Sequence, residues 1–210
     1  MWTALGAVAI LLLAPATGCG GSSSDANQEA GKFPVEVTSA RFPTRQQLGQ
    51  TSLMRLGIRN AGRKALPALT VNVSVGGKEG RGSTLPFAIH DPEPGLAQPD
   101  RPVWVLAARY PRFAGSKQPA GAEGSNQKTF DFGPLKPGAT ANLVWKLSAV
   151  KTGHFVLLYS VDAGIGGQSR AETGGGATPG GSFSVRISGK PYGTEVNGNG
   201  EVVRVGKKQK

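Results

Sequence analysis

The 210-residue chain carries 24 Lys+Arg against 13 Asp+Glu, a net charge of +11, together with 32 glycines and 15 prolines. One cysteine excludes an intrachain disulfide framework and a Cys-rich zinc module, and two histidines leave almost no material for a His-based metal site or a catalytic triad. The hydrophobic fraction of 38% is enough for a core, and the length suits one domain or two small ones.

The first charged side chain is Asp25. Before it, Ala7-Val8-Ala9-Ile10-Leu11-Leu12-Leu13-Ala14 is an apolar run stopped by Pro15. That run is far short of the roughly 20 residues a spanning helix needs, but it has the length of a signal-peptide hydrophobic region with small residues behind it. Ala16-Thr17-Gly18-Cys19 resembles a bacterial lipobox. The resemblance implies that residues 1–18 are a lipoprotein signal peptide and that Cys19 receives a diacylglyceryl group and becomes the first mature residue. Ala16 stands where Leu is more usual. Residues 1–6 lack the Lys or Arg that orients a signal, which points to a start upstream of Met1. The plainer alternative is a secretory peptide with an incidental free thiol. Residues 19–32 are Gly/Ser-rich and polar, the composition of a flexible tether.

From Phe33 the pattern has period two, the mark of strands with one buried face. It runs through Val35 and Val37, through Met54, Leu56 and Ile58, and through Leu69, Val71, Val73 and Val75. Around Trp104 and Leu106, Val103 and Val105 make a strand covered on both sides. Leu143, Trp145 and Leu147 continue the pattern, followed by Phe155, Leu157, Tyr159 and Val161, then by Phe183, Val185 and Ile187. Turn formers punctuate it at Asn60-Ala61-Gly62, Gly76-Gly77, Lys136-Pro137-Gly138 and Thr152-Gly153. No apolar repeat at three and four residues follows residue 32. Seven or more short strands so separated predict an all-β, immunoglobulin-like antiparallel sandwich over residues 33–205, with a basic tail at 206–210. The segment 202–205 is expected to add an edge strand or a small hairpin. Residues 164–181 are so rich in glycine that a mobile loop is expected there.

Leu56-Gly57-Ile58-Arg59-Asn60-Ala61-Gly62, with the strand after Leu66-Pro67, resembles the strand, Asn-x-Gly turn, strand opening of bacterial immunoglobulin-like surface domains, the CARDB (cell-adhesion-related) type above all. Leu135-Lys136-Pro137-Gly138 and Lys151-Thr152-Gly153-His154-Phe155 resemble the second half of the same domains. The resemblance covers roughly residues 35–75 and 130–188. It implies adhesion or ligand binding and brings no catalytic residues with it.

Two long insertions, residues 76–101 and 109–128, are where function is expected. Arg109, Tyr110, Arg112, Phe113 and Lys117 form the candidate contact surface, because arginines and aromatics on a loop suit acidic or sugar-like ligands. The competing reading has Tyr110 and Phe113 covering the end of the sandwich. His90, Asp91, Glu93 and Asp100 sit in a Pro-rich turn too stiff to cup a hard cation, and His154 at a strand start is unremarkable. No serine lies in a Gly-x-Ser-x-Gly elbow and no carboxylate pair stands out, so neither an enzyme nor a cofactor is expected. The +11 charge gives an affinity for polyanions such as lipid headgroups or acidic envelope polymers, unless it only solvates the strand faces. Specific nucleic-acid binding is not expected, for want of an aromatic-basic recognition motif. The combined expectation is an exported lipoprotein, anchored through Cys19 to the outer face of the bacterial membrane, that binds or scaffolds at the cell surface. The alternatives are a structural subunit joined by edge-strand pairing and a hydrolase with a spatially assembled site.

Overall fold

The computed structural model describes residues 29–76, 87–89, 102–123, 129–191, 193–196 and 202–204. Cys19 with the leader, the His90 turn and the basic tail lie outside the described residues. In chain order the strands are β1 (Gly31–Arg41), β2 (Arg45–Leu48), β3 (Thr51–Asn60), β4 (Thr70–Gly76), β5 (Phe87–Ile89), β6 (Trp104–Leu106) and β7 (Arg112–Phe113). They continue as β8 (Ala122–Glu123), β9 (Thr129–Asp131), β10 (Thr140–Ala149), β11 (Gly153–Asp162), β12 (Ser169–Glu172), β13 (Gly180–Pro191), β14 (Thr194–Val196) and β15 (Val202–Arg204).

Two sheets form a sandwich, and no helix occurs among the described residues. The first sheet has the order β12-β1-β3-β10-β6-β5, with β7 also paired to β10; the second has the order β2-β13-β11-β4-β9-β8. The alternation explains the layers. Met54, Leu56 and Ile58 of β3 and Leu143, Trp145 and Leu147 of β10 are at most 1% exposed. They face Val71 and Val73 of β4 and Leu157 and Val161 of β11, while the residues between them turn outward. Edge-on aromatic contacts tie the interior together: Phe42 to Trp104 at 5.6 Å, Trp104 to Phe155 at 6.1 Å and Phe130 to Trp145 at 5.9 Å. Each such pair contributes about 1 kcal/mol beyond its buried area. Both Trp104 and Trp145 are fully buried. Tyr159 stacks on Phe183 at 5.5 Å, and burial pushes its phenol pKa up.

The Asn60-Ala61-Gly62 turn has a specific chemistry. Asn60 is fully buried, and its Oδ1 accepts from the Gly62 N–H at 2.9 Å. Its Nδ2 donates to the carbonyls of Lys64 at 2.8 Å and Leu135 at 2.9 Å, stitching this turn to the chain leaving β9. The Lys136-Pro137-Gly138 turn completes the junction: Gly138, at φ 73°, donates its N–H to the Asn60 carbonyl at 2.9 Å.

All seven strands read from the alternation are present, and β1 starts at Gly31, ahead of the Phe33 boundary. The main ladders are antiparallel; the short pairs β1 with β12, β2 with β13 and β5 with β6 are parallel. Segment 164–181 differs from the loop expected of it, because it contains β12. There Ser169 and Ala171 are buried, Ser169 Oγ donates to the Glu29 carbonyl at 2.7 Å, and Asp162 Oδ1 accepts from the Ala171 N–H at 2.9 Å. Two small buried residues among many glycines give too weak a period-two signal to announce a strand. β14 and β15 pair antiparallel with each other, Thr194 opposite Arg204 and Val196 opposite Val202.

Candidate functional site

Residues 107–118 leave β6, form a turn and return to β10. Ala107 N–H donates to the Lys146 carbonyl at 2.9 Å, Tyr110 N–H to the Ala107 carbonyl at 3.2 Å, and Ala114 N–H to the Asn142 carbonyl at 2.7 Å. Arg109 has φ 66°, and the Tyr110–Pro111 peptide bond is cis.

The five residues singled out here from the sequence divide into two groups. Tyr110 is half-buried against the core. Phe113 is 38% exposed and meets Phe132 edge-on at 5.9 Å, and Phe132 in turn meets Trp145 at 5.6 Å. These two aromatics cover the end of the sandwich. Arg109 and Lys117 are exposed on the turns. Arg112 places its guanidinium carbon 4.3 Å from the centre of the Tyr110 ring, a cation–π contact that holds the charge in position.

Arg112 belongs to a larger arrangement that spans four strands. It pairs with Val144 of β10, Val144 pairs with Arg55 of β3, and Arg55 pairs with Arg41 of β1. Directly opposed residues share a face of the sheet, so the three arginines lie in one row across the outside of the first sheet. Lys146, two residues along β10 from Val144, also points outward and is exposed. Val144, outward by alternation, is only 6% exposed, because the side chains beside it cover it.

The charge of this row is not balanced. The ion pairs among the described residues are Lys32 with Glu172 at 2.7 Å, Arg59 with Glu36 at 3.5 Å and Lys64 with Glu29. None of them involves Arg41, Arg55, Arg112 or Lys146. Like charges directly opposite in a sheet destabilise it, as Arg41 and Arg55 do here, so the row is set up to take anions. The sequence reading missed Arg41 and Arg55, which looked like ordinary outward residues; only the register brings them beside Arg112.

Elsewhere the chemistry is thinner. A hollow of about 630 Å³ on the outside of the second sheet is lined by Asn72, Ser74, Leu158, Ser160 and Ser182 among others, with no ionisable group but the buried Tyr159. His154 is exposed at the start of β11. No group of three or more His, Cys, Asp or Glu side chains able to hold a metal occurs among the described residues.

The fold is that of an immunoglobulin-like β-sandwich domain. No protein-family model matches the chain, and a search of curated proteins returns no match. Solved structures are similar to it. A CARDB domain from Pyrococcus furiosus, solved in complex with di-metal ions, is 11% identical with a TM-score of 0.41, covering 77% of this chain and 91% of that one. An Escherichia coli alpha-2-macroglobulin fragment from domain MG7 to the C-terminus is 15% identical with a TM-score of 0.40, over 75% of this chain and 17% of that one. A Salmonella alpha-2-macroglobulin reacted with methylamine is 13% identical with a TM-score of 0.38, over 77% of this chain and 7% of that one.

Proposed function

We propose that the chain is a non-catalytic lipoprotein of the bacterial envelope, anchored through Cys19, whose sandwich binds acidic material at the cell surface through the basic outside of its first sheet. The observation that carries this reading is the row Arg41, Arg55 and Arg112, which has no carboxylate partner among the described residues. The lipobox-like Ala16-Thr17-Gly18-Cys19 supports the anchor, and about a dozen tether residues give the domain a reach of about 20 Å from the bilayer. Two or more acyl chains, at about 0.8 kcal/mol per buried methylene, hold a domain of this size stably.

Edge-strand pairing has one observation in its favour. β12 covers β1 only over Gly31–Pro34, which leaves the rest of that edge of β1 without a sheet partner among the described residues. The register shift between Val37 and Ser39 breaks the regularity such an edge would offer, which favours the anionic ligand.

Expression of the full chain in a bacterial host tests the anchor. The intact protein is expected in the membrane fraction, with Cys19 carrying a diacylglyceryl thioether by mass spectrometry, and Cys19→Ser is expected to move it to the soluble fraction. A free thiol at Cys19 in membrane-derived protein contradicts the reading.

A further inference from the structure

We propose that the outside of the first sheet contains a phosphate-ester site centred on Gly57, which takes one phosphate of a phosphodiester-linked polymer. This rests on the anion-binding reading above and specifies its ligand.

The site is built by a glycine and a bulge. β1 pairs Val37 with Ile58 and Ser39 with Gly57, so Thr38 is one residue too many for the ladder. The extra residue breaks the alternation, and Thr38 and Ser39 cease to point to opposite faces. Both hydroxyls arrive over Gly57. A Cβ built on Gly57 would lie 2.6 Å from Ser39 Oγ, 2.7 Å from Thr38 Oγ1 and 3.3 Å from Asn142 Oδ1 on β10. The missing side chain thus lets three polar groups from two flanking strands close around one point. None of the three has a hydrogen-bond partner among the described residues. A depression of about 220 Å³ opens beside this point, sharing Ser39 and Asn142 with it and bounded further by Arg41, Arg55, Ala114 and Val144 among others.

The donors define the ligand. The two hydroxyls can each donate a hydrogen bond, and Asn142, which turns its accepting Oδ1 to this point, offers its Nδ2 as a donor once the carboxamide turns over. The two flanking guanidiniums supply several more donors, and no carboxylate lines the depression. The groups come from three strands rather than from one plane. That suits the tetrahedral oxygens of a phosphate better than a planar carboxylate. Arg112 stands two strand spacings from Arg55, about 10 Å away across β10, with its guanidinium held on Tyr110. It offers a second station for the next phosphate of a chain. Among the described residues the exposed large apolar side chains are Phe113, Val150, Leu158 and Ile165, none of them bounding the depression, so nothing there is suited to enter a bilayer.

The test is a titration of the full chain, in detergent, with poly(glycerol phosphate), inorganic phosphate, a polyuronate of similar charge and phosphatidylglycerol in mixed micelles. The polymer is expected to bind tighter than the other three probes. Arg41→Gln with Arg55→Gln is expected to weaken it by about tenfold or more, the scale of losing charge-assisted hydrogen bonds. Gly57→Ala is expected to act similarly by filling the cup. Lys136→Gln, which removes a charge at the exposed turn ahead of β10 and outside the lining of the depression, is expected to change affinity by less than about twofold, the scale of one screened charge. Thermal melting of each variant separates lost binding from lost fold, and Thr38→Val with Ser39→Ala provides a second probe of the cup that leaves the charge intact. If Lys136→Gln weakens binding as much as the arginine pair does, the cup is overturned while the basic-face reading stands. Preference for phosphatidylglycerol micelles or for the polyuronate overturns the assignment to a phosphodiester-linked polymer. No binding to any anion overturns both the cup and the reading beneath it.

Discussion

Asn60→Ala is expected to lower the unfolding free energy by about 3 kcal/mol, because it removes the three hydrogen bonds of a fully buried carboxamide at once. The carboxamide takes the Gly62 N–H and gives to the Lys64 and Leu135 carbonyls from a fully buried position. The residue joins the end of β3 to the segment between β9 and β10, so the loss is felt across both sheets. Denaturant unfolding of the variant should show a lower midpoint with an unchanged slope. A change under about 1 kcal/mol would mean that the turn is held by its backbone bonds alone.

Trp104→Ala is expected to cost about 4 kcal/mol or more, through the cavity left by a fully buried indole and through a lost hydrogen bond. The Trp104 Nε1–H donates to Gln46 Oε1 at 2.8 Å, and Gln46 is itself buried and spends its Nε2 on the Pro43 carbonyl at 2.9 Å. Trp145 provides the internal comparison, since its buried Nε1 has no hydrogen-bond partner among the described residues. Trp104→Phe should therefore destabilise more than Trp145→Phe by about 1–2 kcal/mol, the cost of stranding the Gln46 oxygen. Equal costs for the two would show that the Gln46 bond contributes nothing and that only ring volume matters.

The contrast between these residues also shows what the chain reveals before it folds. Period-two runs such as Leu69 to Val75 announce strands because burial on one face is a local property of the sequence. The Asn60-Ala61-Gly62 turn is legible for the same reason, since an Asn side chain closing on the N–H two residues on is local chemistry. Its two bonds to Lys64 and Leu135 differ in this respect: the second reaches 75 residues along the chain and has no sequence signature. β12 was hidden because only Ser169 and Ala171 alternate inward, among glycines and polar residues.

The candidate site was legible only at one end. Arg112 stood out among Tyr110 and Phe113 in an insertion, and its guanidinium does rest on Tyr110. The aromatics themselves cover the end of the sandwich while Phe113 stays 38% exposed, so packing and exposure are not alternatives at that position. Arg41 and Arg55 gave no signal, because an outward arginine on a strand is ordinary. Their significance comes from register, which places residues 41, 55, 144 and 112 side by side. A bulge at Thr38 and a glycine opposite it are likewise visible only once the ladder is known.

The most direct test of the central claim, that an unbalanced arginine face captures acidic material, is retention of the full chain on an immobilised anionic polymer at low and high salt. The account predicts firm retention at low salt that is lost at high salt, since exposed charges are screened within about 10 Å at moderate ionic strength. It also predicts earlier elution when Arg41, Arg55 and Arg112 are each replaced by Gln. Retention that survives high salt, or elution unmoved by those three replacements, would contradict it.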